Sequence, residues 1–162
     1  MHDEQFVHVL SAAVARLVEE LSSGLGLAAP FTAVTLRDAI ASWRGYQIDL
    51  IPFPVGAEKI YGLCVCKRPG YYAVFYRSDA TLVQQQRILY HELGHIILSH
   101  VSPLKPVHVR RDWLTVTVQE QEAEMFAEAM TRYGLVARGT QQDVPSKNTP
   151  DRFTTWLTMV GG

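Results

Sequence analysis

The stretch His91-Glu92-Leu93-Gly94-His95 lies in a long apolar segment and determines how the rest of the chain is interpreted. On an α-helix, residues four positions apart lie about 40° apart around the axis, so His91 and His95 can direct both imidazoles at one metal ion. Glu92 adjoins the first histidine, where it can take a proton from a water that zinc activates. The pattern therefore predicts a metallopeptidase helix with His91 and His95 as zinc ligands and Glu92 as catalytic base.

Length and charge place this helix in a small globular protein. The chain has 162 residues, 48% of them hydrophobic, and a formal net charge of -1 at pH 7. These values fit one domain with a substantial core and exclude the basic surface on which nucleic-acid binding depends. The first four residues lack a basic segment, and charges interrupt the apolar stretch that follows. We therefore expect a cytoplasmic protein without a signal peptide or membrane span, and without direct contact with nucleic acid or membrane.

The two cysteines, Cys64 and Cys66, lie two positions apart on a predicted strand and therefore on the same face of it. Such neighbours are poorly placed for a mutual disulfide. We expect two reduced, buried thiols.

Hydrophobic periodicity around the motif predicts an α+β fold, that of a minimal zincin-like metallopeptidase domain. We divide this single domain into N-terminal helices at 1–46, a sheet at 47–77, two metal-binding helices at 78–133, and a C-terminal segment with a short helix at 134–162. The helix that ends at Gly45 should begin with a capping box formed by Thr35 and Asp38.

The predicted sheet is small, three-stranded and mainly antiparallel. Short apolar runs indicate strands at 47–51, 60–67 and 71–77, and the turn pair Pro69-Gly70 joins the last two as a hairpin. The motif helix should then begin at an N-cap near residue 78 or 79 and run to about His100.

A catalytic zinc site needs a third protein ligand, commonly His or Glu, and an open position for water. Residues 118–128 form a strongly helical, glutamate-rich segment in which a helical wheel places Glu122 in the apolar stripe. The same wheel places Glu120, Glu124 and Glu128 about 120° to 160° away, toward solvent. Because burying an unpaired carboxylate costs several kcal/mol, Glu122 is predicted to bind the zinc, the alternative being a bond to backbone or to an arginine. Glu122→Ala should then weaken zinc binding far more than Glu120→Ala or Glu124→Ala.

Three further residues are candidates for contact with the substrate. Tyr72, Tyr76 and His108 could donate to the oxyanion that forms during hydrolysis, and the sequence does not rank them. His100 projects away from His91 when the wheel is extended, so it is predicted to be structural. One Zn²⁺ per chain is the expected cofactor, with Mn²⁺ as the alternative, because two imidazoles and a carboxylate accept several metals.

At these residues the chain resembles the ImmA/IrrE family of metallo-endopeptidases, which are gluzincin-like zinc enzymes. The resemblance rests on the motif, the apolar residues 96–98, and residues 122–127, which are similar to the family's Glu-Ala-(Asp/Asn)-x-Phe-Ala segment. It implies His91, His95 and Glu122 as ligands and Glu92 as base. The chain departs from the family at Glu124, where Asp or Asn is usual, and at 130–133, which replace a Leu-Leu-Met-Pro ending.

The resemblance also implies a substrate, a helix-turn-helix transcriptional repressor whose cleavage relieves repression. Two alternatives stay open. The chain could be a non-catalytic, zinc-containing module that regulates its partner by occupying it, or the toxin-like protease of a toxin–antitoxin pair. A Glu92→Gln variant that still relieves repression would indicate the first, and growth arrest that depends on Glu92 would indicate the second.

Overall fold

The computed structural model describes residues 12, 14–21, 23, 27, 31–53, 60–110 and 117–134. Within them the architecture is α+β, as predicted. Its elements are α1 (Ala33–Arg44), β1 (Gln47–Phe53), β2 (Gly62–Arg68), β3 (Tyr71–Arg77), α2 (Leu82–Ile97), β4 (Val107–Arg110) and α3 (Val118–Gly134). Residues 12, 14–21 and 23 are also helical and belong to the predicted N-terminal helix. The predicted C-terminal helix lies outside the described residues.

The sheet is mixed and has four strands in the order β1-β3-β2-β4. The hairpin of β2 and β3 is confirmed, and Gly70 takes the positive φ of 76° that its turn requires. The prediction of a three-stranded, mainly antiparallel sheet is corrected in two respects. β1 pairs in parallel with β3, and β4 adds an antiparallel edge to β2. A four-residue strand is too short to show a hydrophobic period, and its formation depends on pairing with the distant β2.

Both central helices begin at a capping box. α1 begins after Thr32, whose side chain accepts from Thr35 N, so the predicted box is displaced by three residues. α2 begins after Thr81, later than the predicted start, because Thr81 and Gln84 cap each other reciprocally. α1 ends at the expected break, Gly45, which has a φ of 68°.

α2 ends at Ile97, before His100, and the chain then reverses sharply. Ser99 has a φ of 60°, and the His100 N–H donates to the His95 carbonyl at 2.8 Å. This turn directs His100 back toward the helix. The wheel that assigned His100 to a remote face therefore extended the helix beyond its actual end.

α2 occupies the centre of the domain between the sheet and α3. Eleven of its residues, 85 and 88–97, are buried. Its crossing with α3 is close at Gly94, where an added Cβ would lie 3.0 Å from Phe126 Cδ1 and 3.4 Å from Ala123 Cα. The buried stripe of α3 consists of Ala123, Phe126, Ala127 and Met130.

The remaining core lies on the other face of the sheet, around Ile51, Phe53 and Phe75. Cys64 and Cys66 are buried and free, as expected. None of the described helices is both long and apolar enough to cross a membrane.

Candidate metal centre

Four side chains from three elements converge beside α2. His91 and His95 come from α2, His108 from β4 and Glu120 from α3, and one ligand atom of each lies within 4.8 Å of all the others. His91 Nε2 lies 3.1 Å from His95 Nε2, while the two oxygens of Glu120 lie 3.2 Å and 3.3 Å from these nitrogens. Ligands at zinc-binding distance around one tetrahedral ion are about 3.3 Å apart. The nitrogen–nitrogen separation matches one edge of a tetrahedral site, and each nitrogen faces a different oxygen of Glu120 at a similar distance.

His108 approaches the same point from the sheet. Its Nε2 lies 2.6 Å from Glu120 Oε1, and its ring stacks on His95 with centroids 3.8 Å apart. Although both atoms are buried, neither makes a hydrogen bond of good geometry with the described residues. Buried polar atoms without a hydrogen bond are rare, and a bound ion is one explanation of them. The donor set, three imidazoles and one carboxylate, suits a divalent cation such as zinc.

Glu122 does not lie in this cluster, which corrects the helical-wheel placement of both carboxylates. The Glu122 carboxylate accepts from His100 Nε2 at 2.7 Å, while Glu120, expected in solvent, has only 13% of its side chain exposed. The wheel had the wrong phase because its stripe included Val118, which is exposed, and Met125 and Ala129, which are only partly buried. Ala123 and Ala127 form half of the buried stripe, and Glu120 precedes them by three and seven positions, on their side of the helix.

Each α2 histidine also has a partner on its other ring nitrogen. His91 Nδ1 lies 3.2 Å from Glu124 Oε2, and Glu124 forms an ion pair with Arg87. His95 Nδ1 lies 2.9 Å from His100 Nδ1. Partners of this kind fix the orientation of a ligating imidazole and the nitrogen that carries its proton.

Comparison with known families agrees with this geometry. A peptidase family model, described as the IrrE N-terminal-like domain, matches residues 44–132, which is more than half of the chain. The chain belongs to this family. The matched part of this IrrE-like peptidase includes the whole sheet, α2 and most of α3, and therefore all four residues of the cluster. Comparison with curated proteins gives no match.

The protonation states of the cluster residues favour binding of a cation. Burial lowers the pKa of His95 to about 3, so its imidazole is neutral and its lone pair is available. Burial acts to raise the pKa of Glu120, but the ring nitrogens of His108, His91 and His95 beside its carboxylate outweigh burial and hold that pKa well below its usual range. Glu120 is therefore ionised.

Acidification should destabilise the metal-free protein. Between its usual pKa of 6.5 and its folded value of about 3, His95 takes up a proton in the unfolded chain but not in the folded one. The lowered pKa of Glu120 acts in the same direction below its usual value. We expect the free energy of unfolding to fall by about 2 kcal/mol from pH 7 to pH 5, measured by urea denaturation with a chelator present. His95→Gln should flatten this dependence, and an unchanged slope would contradict the assignment.

Glu92 lies outside the four-residue cluster, on the side of α2 that faces β2. It is fully buried, and a Cβ added to Gly62 would meet its Oε1 and lie 3.0 Å from its Cδ. Burial and the charge of Glu92 raise the pKa of the Cys64 thiol, and Cys64 pairs with His108 across β2 and β4. Glu92 and His108 thus neighbour the same strand.

The two candidate tyrosines differ in their surroundings. Tyr76 pairs with Gly62 across β2 and β3, beside Glu92, and burial raises its pKa. Tyr72 lies four residues earlier on β3 and packs against the ring of Tyr46 at 5.1 Å.

The sequence pattern placed Glu120 toward solvent and did not predict that it lies in the cluster. The small residues Gly94, Ala123 and Ala127 are the signal that could have predicted it, because they allow α2 and α3 to cross closely.

Proposed function

We propose that this protein is a zinc metallo-endopeptidase in which His91, His95 and Glu120 hold the metal, with Mn²⁺ as the alternative ion. The observation that supports this ligand set is the convergence of their ligand atoms at 3.1 to 3.3 Å, with the Nδ1 atoms of both histidines held by partners. Glu120 replaces Glu122 in the set expected from the sequence. Three protein ligands leave the fourth position open, as catalytic sites require.

The chemistry then divides between the ion and the chain. A bound divalent cation supplies a Lewis acid that polarises the substrate carbonyl and lowers the pKa of water from about 15.7 toward 7. Glu92 takes the proton of the attacking water and passes it to the leaving amine. Its burial against Gly62 restricts the carboxylate to a narrow range of positions, which suits a base that acts twice in each turnover.

We assign His108 as the donor to the oxyanion. Among the three predicted donors, His108 has its ring nitrogen within the cluster, 2.6 Å from Glu120 Oε1. A donor aimed at the point where charge develops is worth about 10²-fold to 10³-fold in kcat. Tyr76 is the second candidate because it lies beside Gly62, whereas Tyr72 packs against Tyr46.

The same position of His108 favours a second candidate function, a non-catalytic binding module. As a fourth protein ligand, His108 would close the site, and closed zinc sites are structural. His108→Ala distinguishes the two functions. In a peptidase the variant keeps its metal and loses rate, whereas a closed site loses metal affinity.

For the substrate we propose a helix-turn-helix transcriptional repressor, whose cleavage would relieve repression. β4 forms one edge of the sheet and carries His108, so an extended substrate segment could pair with it close to the metal. This arrangement favours cleavage in a flexible linker, because a folded segment cannot offer its backbone to a strand edge.

The test begins with metal content. Native protein purified without a metal-affinity tag should contain about one zinc or manganese per chain by mass spectrometry. The metal-loaded protein is then incubated with repressors encoded beside it, and the fragments are sized by intact-mass measurement. A single chelator-sensitive cut in a linker is the expected result. No metal uptake would exclude the proposed centre, and metal without cleavage of any repressor or unfolded protein would favour the binding module.

Gly62→Ala should impair this peptidase without removing its metal. The new methyl group would clash with Glu92 Oε1, so the carboxylate must shift, and its three nearest atoms all belong to Glu92 rather than to the four converging residues. We expect at least a tenfold fall in kcat with unchanged metal content, because small displacements of a catalytic group cost up to about 10²-fold. Gly45→Ala is the matched control, since nothing lies within 4 Å of its added Cβ and its strain is remote from the site. Equal activity of the Gly62 variant and wild type would show that Glu92 has no such constraint.

A further inference from the structure

His100 and Glu122 form a hydrogen-bonded chain that ends on a ring nitrogen of His95. His95 Nδ1 and His100 Nδ1 lie 2.9 Å apart, and His100 Nε2 lies 2.7 Å from Glu122 Oε2. His100 is 6% exposed, whereas the Glu122 side chain is 28% exposed and reaches toward solvent. The chain therefore connects the cluster to a carboxylate near the surface of α3.

The backbone holds His100 in this position. The Ser99 turn has a positive φ of 60°, and the His100 N–H donates to the His95 carbonyl at 2.8 Å. His100 thus binds His95 twice, through its main chain and through its ring. The main-chain bond is the closing bond of a helix C-terminus, which any residue could make, so the ring contact is the one that requires histidine.

The proton positions along this chain follow from the proposed ligand set. An imidazole nitrogen that binds a metal carries no proton, so His95 with Nε2 on the ion keeps its proton on Nδ1. His95 Nδ1 then donates to His100 Nδ1, which must be unprotonated, and His100 carries its own proton on Nε2. That proton is donated to Glu122. His95 Nδ1 and His100 Nε2 are thus the donors of this chain, and His100 Nδ1 and Glu122 Oε2 are its acceptors.

We infer that His100 and Glu122 are positioning residues that orient His95 toward the metal and strengthen it as a ligand, an inference that rests on the proposed metal centre. The two α2 histidines would then be supported differently. His91 has a carboxylate directly on its Nδ1, from Glu124, whereas His95 reaches one through a second imidazole. Glu120, Glu122 and Glu124 occupy alternate positions of α3. They would serve as the metal ligand, the acceptor for His100 and the acceptor for His91, in that order.

The test compares variants of His100 that keep or remove the acceptor. Asn places its side-chain oxygen near the position of Nδ1 and can accept from His95, whereas Leu fills the space without an acceptor. Zn²⁺ affinity is measured by competition with a chelating dye, and the visible spectrum of the Co²⁺-substituted protein reports the geometry around the ion. We expect His100→Leu to lose close to 100-fold in Zn²⁺ affinity and to change the Co²⁺ spectrum. His100→Asn, which accepts from His95 but cannot reach Glu122, should lose only about tenfold, as Glu122→Ala does.

Glu122 supplies the second arm of the experiment. Glu122→Ala, a change near the surface, should weaken Zn²⁺ binding by about tenfold, and its effect should vanish when His100 is already Leu, because both residues act through His95. Glu128→Ala is the matched control, as Glu128 is exposed and pairs with Arg132 rather than with a residue of the cluster. If His100→Leu does not fold, the Asn variant and Glu122→Ala still test the inference.

Metal uptake by the wild type tests the metal centre, and the variants test the positioning role of His100 and Glu122. Wild-type protein that takes up neither Zn²⁺ nor Co²⁺ would remove the proposed metal centre and this inference with it. Wild-type protein that binds both, with His100→Leu or Glu122→Ala unchanged in affinity and spectrum, would remove the positioning role alone. Equal losses for His100→Asn and His100→Leu would show that packing, not the hydrogen bond, is what His100 contributes.

Discussion

Glu92→Gln is expected to stop peptide hydrolysis while leaving the metal content at about one ion per chain. The amide cannot take a proton from water, and a positioned general base contributes about 10²-fold to 10⁴-fold to the rate. Metal should stay because Glu92 is not among the four converging residues. The fold should also persist, since Gln has the shape of Glu and avoids a buried charge.

The measurement pairs the rate of substrate cleavage with metal content and thermal unfolding of the same preparation. Glu128→Gln makes the same chemical change on an exposed residue and should behave as wild type. Wild-type cleavage by Glu92→Gln would remove Glu92 from the mechanism. Loss of metal together with activity would instead make Glu92 part of the metal site.

The second large effect is expected at Glu120. Glu120→Ala should lose tightly bound zinc, whereas Glu124→Ala and Glu122→Ala should keep it with lower affinity. Removing a residue that only supports a ligand costs about 10-fold to 100-fold in metal affinity, so loss of the ligand itself should exceed 100-fold. This order reverses the expectation from the helical wheel, which ranked Glu122 first.

Chelator competition on the three variants decides between the two orders. Circular dichroism of each variant, recorded without metal, controls for a general loss of helix. If Glu122→Ala loses the most metal and Glu120→Ala the least, then Glu122 is the ligand and the separations around Glu120 have no role in binding. Equal losses of metal affinity in all three variants would indicate that the negative charge of α3 attracts the ion without a specific carboxylate ligand.

Local signals in the sequence were enough for several elements. The motif predicted a helix that places His91 and His95 together, Pro69-Gly70 predicted the hairpin, and Gly45 predicted the end of α1. In each of these, the spacing or the backbone freedom of a few neighbouring residues decides the outcome. Family membership followed from the same short segments.

Interactions between distant segments decided what the sequence did not reveal. The phase of α3 depends on how closely it crosses α2, and that distance is set by Gly94 against Ala123 and Phe126. A wheel drawn for one helix cannot contain this information. His100 was misplaced because a single residue, Ser99, takes a positive φ that its side chain disfavours.

β4 escaped prediction for a related reason. The four residues that follow Pro106 form a strand because they pair with β2. This pairing places His108 beside His95. Only part of a candidate site that draws on three elements can thus be predicted from sequence. His91 and His95, which share one helix, were predictable, whereas the positions of His108 and Glu120 depend on tertiary contacts.

Because the cluster draws on α2, β4 and α3, a metal ion bound there as proposed would be a reversible cross-link between segments that separate when the chain unfolds. A ligand that binds only the folded state adds about 4 kcal/mol to stability when its free concentration is a thousand times its dissociation constant. The supply of metal in the surroundings would then control how long a molecule of this protein survives as well as how fast it works. A cell short of the proposed metal would hold fewer folded copies, so the amount of active protein would depend on metal supply before any substrate is met.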